Sequence, residues 1–190
     1  FFCYGGTIKG DRRLLEMVSY YDHRTGTVPR PTALMDKGTD DAHDNPVLLL
    51  DDEGFVWVFA SSHGTSRPSY LFKSRTPRSV EGFDCVWETN FSYPQPWAVP
   101  GHGILFLHTR YAGGRVLHWM TSQDGLTWSE PRPLSRIAKG HYQVSWRWES
   151  KVGTAFDMHP EKVGLNARTN LYYLETEDFG RALSVGALMA

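Results

Sequence analysis

Two histidines, His43 and His63, stand twenty positions apart in the stretch DAHDNPVLLLDDEGFVWVFASSHG. Imidazole changes charge near neutral pH, so a pair that met in the fold could carry a proton to and from a substrate. Two apolar runs and the turn DDEG separate them. Folding PVLLL (46–50) back on FVWVF (55–59) places Leu50 across from Phe55 and His43 across from Ser62, one step from His63. The pair is therefore expected at the open end of one hairpin. The same fold-back about 99–103 puts Tyr93 across from Thr109, beside Arg110, and about 148–151 it puts His141 across from Met158, beside His159. Asn45, Gln95 and Gln143 each follow two positions behind the residue that opens their strand. Proton carriers, amides and a guanidinium thus recur in register on loops held by a scaffold. Each of these groups could equally satisfy buried backbone. His141 and His159 suit a structural or binding role at least as well as a catalytic one. His23, His102, His108 and His118 read as ordinary residues of turns or outer strands.

The elements that would position these groups form a repeat. PRPTALMDKG at 29–38 returns as PRPLSRIAKG at 131–140, 102 residues on, and the halves of that interval begin with HDNPV (43), YPQPW (93) and HYQVS (141). Behind these starts align the second strands GFVWVFASS, GILFLHTRY and VGTAFDMH, and then the third strands YLFKS, LHWMTS and LYYLET. The runs are aromatic, aliphatic and β-branched, with Gly, Pro, Asp and Ser between them, and no stretch sustains a 3.6-residue period. Four short strands in about 50 residues is the pitch of a β-propeller blade. The expected fold is all-β, a propeller fragment of about three and a half four-stranded blades. Its divisions are the end of one blade (1–38), whole blades at 39–88 and 89–138, and most of another at 139–190. A β-sandwich leaves the 102-residue echo unexplained.

TSQDGLTWSEP (121–131) fits the Asp-box S-x-D-x-G-x-T-W in its own spacing, with Ser122, Asp124, Gly125, Thr127 and Trp128. Its role is a turn between third and fourth strands, in which the Asp bonds backbone, Gly supplies positive φ and Trp packs between sheets. ETEDFGRALS (175–184) is a copy lacking the Trp. Trp57, Trp119, Tyr172 and Tyr173 read as inter-blade core.

The chain of 190 residues carries a net charge of −1 and is 41% hydrophobic, with material for a packed core but no basic field for a nucleic-acid backbone. No apolar run reaches the length of a membrane span. Cys3 and Cys85 form neither a disulfide framework nor a metal spacing. There is no phosphate loop, no G-x-S-x-G elbow, no placed thiol nucleophile and no evident acid pair for glycoside hydrolysis; strand alternation is expected to turn Asp44 away from His43 and Asn45. His43 and His63 could bind a metal; a third ligand is not evident, although a nearby His or Asp could serve. No cofactor is required, although the sequence leaves room for a structural metal ion. The opening FFCYGGTIKG has no initiator Met or export signal, so an internal fragment is expected.

DAHDNPVLLLDDEG, SSHGTSRPSY, SYPQPWAVPG, FLHTRY and GLNARTNLYYLETEDFG together resemble the BNR-repeat (Asp-box) β-propeller family, over nearly the whole chain. Within it, the likeness is to ulvan lyases, seven-bladed propellers that cleave beside a uronic acid, and to propeller enzymes acting on rhamnose–glucuronate linkages. The resemblance implies a catalytic set of His43, His63, Tyr93 and Arg110; from their register on the same hairpin ends, Asn45, Gln95, His141, Gln143 and His159 are expected to bind substrate. It implies an acidic polysaccharide or oligosaccharide as ligand, and a secreted or periplasmic enzyme, while the oligomeric state stays open. The expected reaction is β-elimination: Arg110 neutralises the uronate carboxylate, His43 or His63 removes the C5 proton, and Tyr93 serves as acid or base. Two alternatives stay open, an α-L-rhamnosidase-type hydrolase relying on one histidine and a glycan-binding propeller without catalysis. SYP and HTRY carry the Tyr and Arg matches. DAHDNP departs from the family's run, which is closer to DHNxP, and a Tyr follows Arg110 where the family has Gly.

Overall fold

Short apolar runs cut by Gly, Pro and Asp close into antiparallel sheets, each strand pairing with the next in sequence. The computed structural model describes residues 1–111, 113–135, 141–160, 164 and 166–185. A three-stranded sheet holds β1 (Phe2–Gly6), β2 (Leu15–Ser19) and β3 (Thr32–Asp36). A four-stranded sheet follows with β4 (Pro46–Leu50), β5 (Val56–Ala60), β6 (Ser69–Ser74) and β7 (Phe83–Thr89). The third sheet holds β8 (Ser92–Val99), β9 (Gly103–Tyr111), β10 (Arg115–Ser122) and β11 (Arg132–Pro133). The fourth holds β12 (Gln143–Trp148), β13 (Lys151–Met158), β14 (Thr169–Thr176) and β15 (Ser184–Val185). Among the described residues the only helical element is one 3-10 turn, Ala42–Asp44. This is an all-β chain of meandering antiparallel sheets, the blades of a β-propeller.

The chain forms two compact units, Phe1–Pro94 and Gln95–Ala190, and each has its own core. In the first, Val18, Val56, Val58, Ala60, Phe72 and Val80 pack together. In the second, Val99, Leu105, Leu107, Leu117, Trp119, Leu134, Val152 and Phe156 do so, with Tyr172 against them. Second strands are the most deeply buried: all of β5, and Ile104–Thr109 of β9. A strand covered on both faces needs continuous apolar residues, which VWVFA and ILFL provide. The 131–140 echo and the last expected blade, 139–190, run into residues 136–140 and 186–190, which lie outside the described residues.

Two local expectations need correction. Leu50 pairs with Val56, not Phe55. Asp51 draws Phe55 into the loop, accepting its N–H at 2.8 Å and the Trp57 indole N–H at 2.7 Å, while Gly54 turns at φ 88°. The loop is one residue longer than DDEG, so the extrapolated register moves His43 across from His63 itself. Position 44 also lies in the 3-10 turn and not in an extended strand, so alternation does not apply there. In the β12–β13 hairpin Gln143 faces Phe156 and Trp148 faces Lys151, the register expected from sequence.

Candidate functional site

The 3-10 turn starts at Asp41, whose carboxylate accepts the His43 backbone N–H at 3.0 Å, as helix-capping aspartates do. The same oxygen lies 2.6 Å from His43 Nδ1, and the other oxygen lies 3.0 Å from His63 Nδ1. One carboxylate therefore holds both imidazoles. Their rings stack with centroids 4.3 Å apart at 25°. Because a carboxylate accepts, both Nδ1 atoms act as donors, which leaves each Nε2 as the basic nitrogen. Partial burial works against the charge of Asp41, but hydrogen bonds from His43 and His63 outweigh it and hold the carboxyl down at about 2.

Tyr93 stands edge-on to both rings, 6.1 Å from each by centroid. Its φ of 51° is a left-handed conformation that a bulky residue adopts only under constraint. Its neighbours supply one. Ser92 Oγ donates to Ser62 O, and the Phe91 carbonyl accepts from Ser62 N at 3.2 Å and from Ser69 Oγ at 2.7 Å.

The His63 loop rests on buried ions. Asp44 is fully buried and accepts the His63 N–H at 2.7 Å, with Arg67 donating to it in a fork at 2.9 and 3.0 Å. Lys37 Nζ lies 3.9 Å from Asp44 and donates to Ser62 Oγ at 3.0 Å and Pro68 O at 2.9 Å. Asn90 Nδ2 fixes the loop from the other side through the carbonyls of Gly64 and Arg67. Glu16 on β2 is fully buried, and its carboxyl oxygens have no hydrogen-bond partner among the described residues. Burial pushes it up to about 8, against the pull of Lys37 and with the push of Asp44.

Sequence reasoning brought His43, His63 and Tyr93 together but missed Asp41, Arg67, Lys37 and Glu16, and it turned Asp44 away from His43 and Asn45 without seeing that it is buried beneath the His63 loop. The D-x-H spacing of Asp41 and His43 is a capping signal legible in the sequence. The Arg67–Asp44 pair spans 23 positions and leaves no local signal. Asn45 is exposed, and its side chain packs on Gly5, where a Cβ would collide with it.

Other expected site residues belong to the second unit. Arg110 lies on β9 opposite Val116. Gln95 is occupied at both ends, donating to Gln143 O at 2.9 Å and accepting from Ser145 Oγ at 2.5 Å, and the Gln143 side-chain oxygen accepts from Thr154. These bonds tie strands together through both ends of the Gln95 amide and through the Gln143 oxygen, while Gln143 Nε2 is buried without a hydrogen-bond partner among the described residues. His141 is fully buried with Nδ1 at 2.9 Å from Asp157 O, a structural histidine. His159 Nδ1 accepts from Arg115 Nη2 at 3.0 Å, and its Nε2 lies 3.3 Å from Gly164 O. His108 corrects another expectation: it is buried on β9, and burial first, then His118 and Arg110, push it down to about 3.

The turn at 122–128 forms as its residues require. Asp124 Oδ1 accepts from Leu126 N at 2.8 Å, Thr127 N at 2.7 Å and Ser122 Oγ at 3.1 Å; Gly125 takes φ 72°, and Trp128 packs edge-on against Phe106. The later copy repeats it, with Asp178 Oδ1 accepting from Thr176 Oγ1 and Ala182 N. A groove of about 510 Å³ lies between these two turns, lined by Trp119, Trp128, Arg132, Phe179 and Arg181. It holds none of the expected catalytic residues.

Asp41, His43 and His63 each offer a donor atom within 4.8 Å of the others, so three ligands for a metal ion are present where the sequence showed two. The Asp41 oxygens and both Nδ1 atoms bond one another here, so an ion bound through those atoms would have to replace these bonds.

No protein-family model and no curated protein sequence matches this chain. Solved structures do. An ulvan lyase of polysaccharide lyase family PL25 superposes with a TM-score of 0.73 at 17% identity, over 93% of this chain and 52% of its own. A PL25 ulvan lyase bound to -[GlcA(1-4)Rha3S]- gives 0.74 at 16%, over 94% of this chain and 52% of its own. The chain spans about half the length of these structures and shares their fold over that half.

Proposed function

We propose that the chain carries the proton-transfer site of a polysaccharide lyase that cleaves beside a uronic acid by β-elimination. The observation that carries this reading is the stacked His43–His63 pair, hung from one carboxylate and facing Tyr93. The fold shared with ulvan lyases, one of them holding a glucuronate–rhamnose sulfate ligand, supports an acidic polysaccharide as substrate.

In this reading a neutral histidine takes the C5 proton through Nε2, and the electron pair forms the C4–C5 double bond. The C4–O4 bond breaks, and O4 receives a proton from Tyr93 or from the other histidine. The uronate carboxylate must be neutralised for C5 to release its proton. We assign that task to Arg110, on the resemblance of HTRY to the family's strand; Arg67 is committed to Asp44 and Asp41. The blade divisions 1–38, 39–88, 89–138 and 139–190 and the Asp-box family assignment are part of the same proposal. A polymeric substrate also places the enzyme outside the cytoplasm.

The test is incubation with glucuronate–rhamnose polysaccharide while following ultraviolet absorbance and released rhamnose together. Rising absorbance, lost in His63→Ala and Arg110→Ala, is the expected result. Rhamnose without absorbance would make the protein a hydrolase, and retained binding without either product would make it a lectin-like propeller.

A further inference from the structure

A second cluster of charged groups lies wholly in the second unit, at the open end of the β12–β13 hairpin. In its own sheet this is the topological position that the histidine pair occupies on β4–β5. Tyr142 precedes β12, and two guanidiniums rest on its ring, Arg115 with Cζ 4.2 Å and Arg168 with Cζ 4.4 Å from the centroid. A guanidinium against a π face keeps its N–H donors in its own plane, free to point past the ring edge.

The charges around the ring do not balance. Arg168 Nε lies 3.6 Å from Asp157 Oδ2, and the other Asp157 oxygen accepts the Tyr142 N–H at 3.1 Å. Among the described residues Arg115 has no carboxylate within ion-pair distance. Its polar partner is His159 Nδ1, which accepts, so the ring proton belongs on Nε2 beside Gly164 O. His159 is then neutral and serves to aim Arg115. Among the described residues two fixed cations face one carboxylate, which leaves one positive charge for an incoming anion at a site that is half-buried at Arg115 and exposed at Arg168.

We propose that Arg115 and Arg168, seated on Tyr142, form a binding subsite for one anionic group of an acidic saccharide, a carboxylate or a sulfate ester. The identity of the ligand rests on the reading above; the cationic site does not. Guanidinium forks bind both groups through paired charge-assisted hydrogen bonds.

The test is calorimetric titration of the protein with a sulfated glucuronate–rhamnose tetrasaccharide, its desulfated form and its carboxyl-reduced form. Arg168→Ala and Arg115→Lys, each checked for native circular dichroism, are expected to weaken the sulfated tetrasaccharide about tenfold or more. A loss that disappears on desulfation identifies a sulfate site, and one that disappears on carboxyl reduction identifies a carboxylate site. Wild-type affinity of both variants for all three ligands overturns the proposal, as does a wild type that binds none of them. A wild type that binds without turnover, with Arg168→Ala still weakened, ends the lyase reading and leaves the anion site standing.

Discussion

Asp41 does at the residue scale what neither histidine could do alone. Two stacked imidazoles have no intrinsic reason to present the same nitrogen outward, and the shared carboxylate gives them one. Asp41→Asn keeps the shape but replaces an acceptor oxygen with a donor, so at most one ring keeps its tautomer. Turnover of a glucuronate–rhamnose polymer should fall by about 10²-fold or more in kcat, with KM and melting temperature little changed. A matching collapse of thermal stability would make Asp41 a fold residue only. Glu16 makes a second prediction at this scale. Its carboxyl is raised from 4.5 to about 8, so between those pH values the native state holds a proton that the unfolded chain releases. Stability conferred by the neutral form is complete below pH 4.5 and is lost as pH rises towards 8. Glu16→Gln should remove that slope and raise stability at pH 8 by on the order of a few kcal/mol, read from denaturant unfolding at pH 5 and pH 8.

At the scale of elements, the loop from β5 to β6 is the piece that must be fixed, because it carries His63. Its anchors are two charged groups and an amide from elsewhere in the same unit: Lys37 after β3, Asp44 in the 3-10 turn and Asn90 after β7. Arg67→Ala removes the fork on a fully buried carboxylate and leaves Lys37 as its remaining cation. The expected loss is about 2–4 kcal/mol in chemical denaturation, together with faster amide exchange at His63. A loss below 0.5 kcal/mol would mean that water takes the place of the guanidinium. The turns at 122–128 and 176–182 show the opposite case, where each partner lies within a few residues and the motif is readable as written.

Across the whole chain, burial is uneven. Val144, Trp146 and Trp148 alternate along β12 and are 65%, 41% and 71% exposed, and the strand register puts Leu171, 62% exposed, on the same sheet face. Exposed aromatic and aliphatic side chains on one sheet face predict association of the 190-residue chain as its concentration rises, measured by sedimentation. Trp148→Ser with Val144→Thr should shift that equilibrium towards monomer, and unchanged sedimentation would show that this face is not the contact.

The all-β class, the order of the sheets and the meeting of His43 with His63 could be read from the sequence. These follow from local rules, because strand periodicity, turn residues and hairpin fold-back act between near neighbours and their errors stay within one residue. The Leu50–Val56 register shows the size of such an error, and its cause, a side chain reaching four residues along the loop, is itself local. The tertiary structure alone decided which groups hold the site. Arg67 reaches Asp44 across 23 positions and Lys37 reaches Pro68 across 31, while Gln95 spends its amide on Gln143 and Ser145 of another strand. Charges and amides seek whatever partner burial brings within 3 Å, and no periodicity along the chain records that choice.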